Sequence, residues 1–233
     1  MASKTFTLDG IGEITVYKRP GTKRLNLRIV SNKVRVTQPT WLPYNSGLQF
    51  AISNSSWITT QQSNNTELKL RDGLEIGKSY QLTFEPAATL RTRLLSSEIK
   101  IFIPPHLSIN SPEVQIAAKS AIKRALKKDS ETNLPRRVAA LAERYDYSFT
   151  TVHCKSMRSR WGSCNSRREI TLNSYLMMLP WELIDYVLLH ELTHTKHLHH
   201  GKSFWTAMGE FMPDYKERRK ALKEIQKSVS PLQ

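Results

Sequence analysis

The chain has little cysteine: two residues, Cys154 and Cys164, among 233. They lie too far apart for a CxxC zinc pair and are too few for a disulfide framework. Reduced thiols fit an expected cytoplasmic location. Glycine and proline are also sparse, at 9 and 11 residues, which excludes collagenous and low-complexity chains. Apolar stretches such as Tyr175–Leu179 fall far short of the ~20 residues of a membrane-spanning helix, so no membrane partner is expected. The opening MASKTFTLDG carries no secretory-type apolar run. Acidic side chains are scarce beside basic ones: 20 Asp and Glu against 35 Lys and Arg, a net charge of +15. Such a surplus favours a nucleic acid or nucleotide partner through the basic surface. The charge is nevertheless spread along the chain, +7 over residues 1–106, +3 over 107–150 and +5 over 151–233, with no separate basic tail. A basic, merely solvated surface is the plain alternative.

What is present sorts into two halves. Phe6, Leu8, Ile14, Val16, Leu25, Leu27, Ile29, Val34 and Val36 alternate with polar residues at the period of a half-buried strand. Asp9-Gly10, Pro20-Gly21 and Ser31-Asn32 mark turns between them. A helix is expected over 46–62 with Ser46 as its N-cap, and strands over Leu74–Phe84 and Leu90–Ile103. No internal repeat is evident. Beyond Pro104-Pro105 the pattern turns helical. A Ser111-Pro112 start leads an apolar face through Val114, Ala118 and Ile122 as far as Asp129. A second helix is expected from Pro135 to Tyr145, and strands over 149–156 and 168–174 flank a loop at Ser159–Arg167. Helices are expected from Pro180 through Glu191, over Lys202–Phe211 and over Asp214–Lys227. The fold class is therefore α+β, with a β-rich N-terminal region over 1–105 and a mainly helical region over 106–233.

His190-Glu191-Leu192-Thr193-His194 carries the chemistry. Residues four apart on a helix project from one face, so the two imidazoles can grip one Zn²⁺. Glu191 then stands beside the metal, where it can take a proton from metal-bound water. The approach through Leu183, Ile184, Val187 and Leu188 is apolar enough for a core helix, which gives a dry cavity. A catalytic zinc wants a third protein ligand and one open position. His197, His199, His200, Glu210 and Glu217 are the candidates. His200 qualifies only if the helix stops near Lys196 and the chain bends back beside Gly201.

HELTHTKHLHHGKSFW resembles HELxHxxxxxHxxxFW, the signature of the YgjP-like metallopeptidase family and the related SprT and Wss-type proteases. Arg160-Trp161-Gly162-Ser163-Cys164, Ile170-Thr171-Leu172-Asn173, Pro180, Ile184-Asp185 and Val187 extend the resemblance upstream, and Met212-Pro213-Asp214-Tyr215-Lys216 with Arg218-Arg219 extend it downstream. The resemblance implies a zincin-like catalytic domain, His190, His194 and His200 as zinc ligands, and Glu191 as catalytic base. Metzincins share this histidine spacing but place glycine three residues after the second histidine. Here that position is His197, where a left-handed turn is less comfortable.

Other residues carry two readings each. Arg160 can grip an anionic substrate or decorate a turn. Asn173 can align a peptide or cap a turn. Tyr215 and Arg218 can stabilise an oxyanion or solvate a helix. Asp185 can orient a ligand imidazole or lie on the surface. Cys164 is a weak candidate for nucleophile or metal ligand. Trp161 and Gly162 read as a packed turn, and Phe204, Trp205 and Phe211 as core. The leading function is hydrolysis of a peptide or protein substrate by zinc-activated water. Two alternatives are a zinc-dependent hydrolase of nucleotide phosphoanhydrides, with Arg160, Arg158 and Lys155 as clamps, and a nucleic-acid-associated protein with a structural metal site. An intact Glu191 speaks against the last, because a structural site needs no base.

Overall fold

The computed structural model describes residues 2–30, 33–64 and 70–229. The expected Ser31-Asn32 turn lies outside them. Two compact units emerge, Met1–Glu67 and Leu68–Gln233. The first holds β1 (Ser3–Leu8), β2 (Gly12–Lys18), β3 (Asn26–Val30), β4 (Lys33–Gln38), α1 (Tyr44–Ser53) and α2 (Ser55–Asn64). Its sheet runs β1-β2-β4-β3, with β2 and β4 parallel and both outer pairs antiparallel. The alternation read from sequence is the reason: Ile14, Val16, Val34 and Val36 are buried under the helices with Ala51 and Ile58. The helix expected over 46–62 is two helices broken at Asn54, whose side-chain amide donates to the Phe50 carbonyl instead of leaving the turn regular. Its N-cap is Pro43 rather than Ser46.

The second unit opens with β5 (Leu74–Ile76), β6 (Tyr80–Pro86), β7 (Arg91–Leu94) and β8 (Glu98–Ile103), in the order β5-β6-β8-β7. This sheet repeats the first in pairing sense and register. Phe6↔Ile14, Val16↔Val36 and Ile29↔Val34 have their counterparts in Leu74↔Leu82, Phe84↔Ile101 and Leu94↔Ile99. The chain is thus internally repeated, which the sequence reading missed. Only a faint echo survives, KVRVTQPTWL against EIKIFIPPHL, because a sheet preserves alternation rather than identity.

The boundary between the units also differs from the change of composition at Pro104-Pro105. Strands β5–β8 precede those prolines, yet their Ile76, Leu82, Ile99 and Ile101 share one core with α3 (Pro112–Arg144). Helix α3 is one 33-residue element, not two. The apolar stripe turns polar at Asp129 and Ser130, but both lie on the buried face and find partners. Asp129 accepts from the Lys78 amide at 2.8 Å, the Ser79 hydroxyl at 2.7 Å and the Asn133 amide at 2.8 Å. The Ser130 hydroxyl donates to the Lys127 carbonyl. Leu134, Val138 and Ala142 carry the stripe past Pro135, whose missing N–H costs the helix one bond.

A third sheet, in the order β10-β11-β9, follows: β9 (Thr151–Lys155), β10 (Gly162–Cys164) and β11 (Glu169–Asn173). Strand β10 falls inside the expected loop. Its three residues are too few to show a period. A short 3-10 helix (Ser174–Met178) leads to α4 (Trp181–Thr193), α5 (Lys202–Phe211) and α6 (Tyr215–Val229). The α+β class is as expected, strands first and helices after. No helix among the described residues is long and apolar enough to cross a membrane.

Candidate active site

Helix α4 builds the site. Leu183, Ile184, Val187, Leu188 and Leu192 bury its body, and His190 and His194 stand at its C-terminal end. The chain leaves the helix in a tightened turn, in which the Lys196 and His197 amides both donate to the Thr193 carbonyl. The reversal needs no left-handed residue: among the described residues, only Asp146 and Arg168 have positive φ without being glycine. The discomfort expected at His197 is absent, and Gly201 is extended with open space where a Cβ would stand.

The reversal brings His200 back onto the helix end. Its Nε2 lies 3.0 Å from His190 Nε2 and 3.2 Å from His194 Nε2. Among the described residues, these three histidines are the group placed to hold a metal ion; His197, His199, Glu210, Glu217 and Cys164 lie outside it. Phe204 is the floor on which the triad sits, its ring centroid 4.9, 4.6 and 4.8 Å from those of His190, His194 and His200. Trp205 stacks on His200 at 5.6 Å and donates its indole N–H to the His200 carbonyl at 3.1 Å. Phe204 and Trp205 therefore do more than fill the core, since they fix the third histidine.

The donor set fits a zinc ion. His194 Nδ1 lies 3.0 Å from the His197 carbonyl, which requires the proton on Nδ1 and leaves the Nε2 lone pair toward the triad. Burial, helped by His194, His200 and Arg219, holds the His190 imidazole down to about 3, so it stays neutral. His194 is lowered too, by burial first. Neutral imidazoles with converging lone pairs repel one another unless a cation sits between them. A tetrahedral zinc with bonds of ~2.0–2.1 Å needs N···N edges of about 3.3 Å, within a few tenths of those seen.

Glu191 is buried against β10. A Cβ on Gly162 would stand 2.6 Å from Glu191 Oε1 and 2.7 Å from its Cγ. Only glycine leaves that room. Burial pushes the Glu191 carboxyl up to about 8, with the Arg160 guanidinium pulling the other way. Arg160 thus lies within electrostatic reach of the base while exposed to solvent. Burial, with Glu191 adding to it, pushes the Cys164 thiol up to about 11, which leaves no thiolate to act as nucleophile.

The remaining site residues divide. Asn173 is fully buried. Its amide donates to the Met157 and Arg160 carbonyls at 2.8 and 2.9 Å, and its oxygen accepts from the Tyr175 amide. It secures the loop before β10 and is out of a substrate's reach. Arg218 bonds Asp214 at 2.7 Å and the Glu182 carbonyl at 2.8 Å, tying α6 to the start of α4 away from the histidines. Arg219 takes the place expected of Arg218, 5.0 Å over the Trp205 ring and beside His190 and Glu191. Tyr215 completes a stack with Trp205 at 5.4 Å. Asp185 neither orients an imidazole nor lies free: both its oxygens pair with Arg137 of α3. Tyr186, which lines the cavity beside His190, and Arg219 are the residues that sequence reasoning passed over as site residues. The four-residue spacing of Tyr215 and Arg219 on one helix was the available signal.

Three histidines converge at the C-terminal end of a core helix, with a buried carboxylate one residue after the first, a donor set of the kind that can hold a catalytic metal. The YgjP-like metallopeptidase domain matches residues 23–225, and the chain belongs to that family. A solved structure, the metallopeptidase zymogen of Methanocaldococcus jannaschii jannalysin, is similar over 42% of this chain and 99% of that one, at 24% identity and a TM-score of 0.36. No curated protein matches the sequence.

Proposed function

We propose that this chain is a zinc-dependent metallopeptidase in which His190, His194 and His200 hold the metal and Glu191 is the base. The observation that carries the reading is the convergence of three Nε2 atoms beside a buried carboxylate. A zinc ion held by these three histidines would lower the pKa of a bound water toward ~7 and polarise a carbonyl oxygen. Glu191 accepts the water's proton at its carboxylate and returns it to the leaving amine. A dication nearby favours the ionised carboxylate, against the burial that raises it. Gly162 keeps the base in place, and Arg160 adds positive charge at the open side. Strand β10 pairs with β11 on one side, among the described residues, and its other edge can accept an extended peptide as an added strand. The family assignment leaves the phosphoanhydride and structural-metal readings without support, and nothing in the site speaks for a nucleic acid partner.

The test is chelation. Protein purified without chelator is expected to cleave unfolded casein, to lose that activity to 1,10-phenanthroline and to regain it with about one equivalent of zinc. Activity that survives complete metal removal would refute the reading.

A further inference from the structure

A cavity of about 230 Å³ opens directly beside the base, between α4, β10 and α6. Trp161, Tyr186, Val187 and Leu222 give it apolar walls, and Arg219 and Lys223 bring two cations to it from successive turns of α6. Neither cation pairs with a carboxylate among the described residues. Arg219 lines the cavity together with Tyr186 and His190. The Trp161 indole N–H is buried without a hydrogen-bond partner, although such a donor ordinarily finds one. Unpaired cations, an unsatisfied donor and apolar walls together describe a receptor for an anionic side chain. Glu191 is the one acidic group lining the cavity, and it is occupied with the reaction.

We propose that this cavity is a specificity subsite for a carboxylate of the substrate, either an Asp or Glu side chain flanking the cleaved bond or the free C-terminal carboxylate. The proposal rests on the metallopeptidase reading for its place in the reaction, but not for its binding chemistry. Apolar walls take the methylene stem, while Arg219 and Lys223 meet the charge. The site gathers two cations against one acid, with both cations at its exposed rim.

The experiment pairs binding with cleavage. Four peptides share one sequence. One carries an internal Glu with an amidated C-terminus, the second has Gln in its place, the third has Lys, and the fourth keeps Gln with a free C-terminal acid. Binding is measured by calorimetry on the zinc-loaded Glu191→Gln protein, and cleaved bonds are mapped by mass spectrometry with the unsubstituted enzyme. The acidic peptide is expected to bind about tenfold more tightly than its Gln counterpart. The Glu arm and the free-acid arm tell which carboxylate is read. Lys223→Glu, a change at an exposed position, is expected to erase that advantage and favour the Lys peptide. Arg219→Gln is expected to act in the same direction. Equal binding of all four peptides, or an acidic preference unchanged in Lys223→Glu, would overturn the subsite. Absence of cleavage with the binding preference intact would instead refute the peptidase reading and leave the carboxylate site standing.

Discussion

Glu191→Gln is expected to lower peptide hydrolysis by about 10²–10⁴-fold, the usual worth of a positioned general base, while the zinc content stays that of the unsubstituted protein. The substitution keeps the shape of a side chain that is almost wholly buried. It removes the one lining acid of the cavity that can take a proton. Metal binding is expected to survive because the three imidazoles meet one another through His200 and Phe204, without help from Glu191. Stability is expected to hold or rise, since an amide is easier to bury than a carboxylate. The measurements are kcat on a quenched peptide, zinc per chain and a denaturant midpoint. Turnover near normal would refute the assigned base.

Gly162→Ala is expected to be nearly as damaging to activity, without touching the metal. A new Cβ would lie 2.6–2.8 Å from three atoms of the Glu191 side chain. Contacts that close cannot persist, and the carboxylate is the mobile partner because Gly162 is held in a β10–β11 pair. A displacement of ~1 Å at a reacting group can cost ~10²-fold, so kcat is expected to fall by about that factor. Zinc content should remain at one per chain, and the stability loss should stay within the ~1–3 kcal/mol usual for overpacking. Full activity in Gly162→Ala would show that this close approach does not position the base.

The parts of this architecture that were legible in sequence share one property: the signal was local. Alternation gave the strands of the first unit, because each Ile or Val in β2 and β4 answers to a face set by its own neighbours. The four-residue spacing of His190 and His194 placed both on one side of α4. What was hidden depends on distant partners. Helix α3 looked broken at Asp129 because its acceptors' donors, the Lys78 amide and the Ser79 hydroxyl, sit fifty residues away in sequence. The third ligand was underdetermined by spacing, which left five candidates; the family resemblance pointed to His200, and the return of the chain over Phe204 is what brings it to the other two histidines. Arg218 and Arg219 are adjacent and chemically identical. Which one faces the site follows from how α6 lies on α4, and a sequence does not state that angle. Asn173 carried the opposite confusion, a polar residue near the site that serves the loop rather than the substrate.

The central claim, that His190, His194 and His200 together hold one catalytic zinc, is met most directly by zinc-edge X-ray absorption on the purified protein and on His200→Ala. The expected spectrum has three imidazole nitrogens at ~2.0–2.1 Å and one lighter oxygen ligand. In His200→Ala one imidazole is expected to disappear and the affinity for zinc to collapse, while His197→Ala and His199→Ala leave both unchanged. A sulfur shell near ~2.3 Å, or a His200→Ala spectrum indistinguishable from that of the unsubstituted protein, would contradict it.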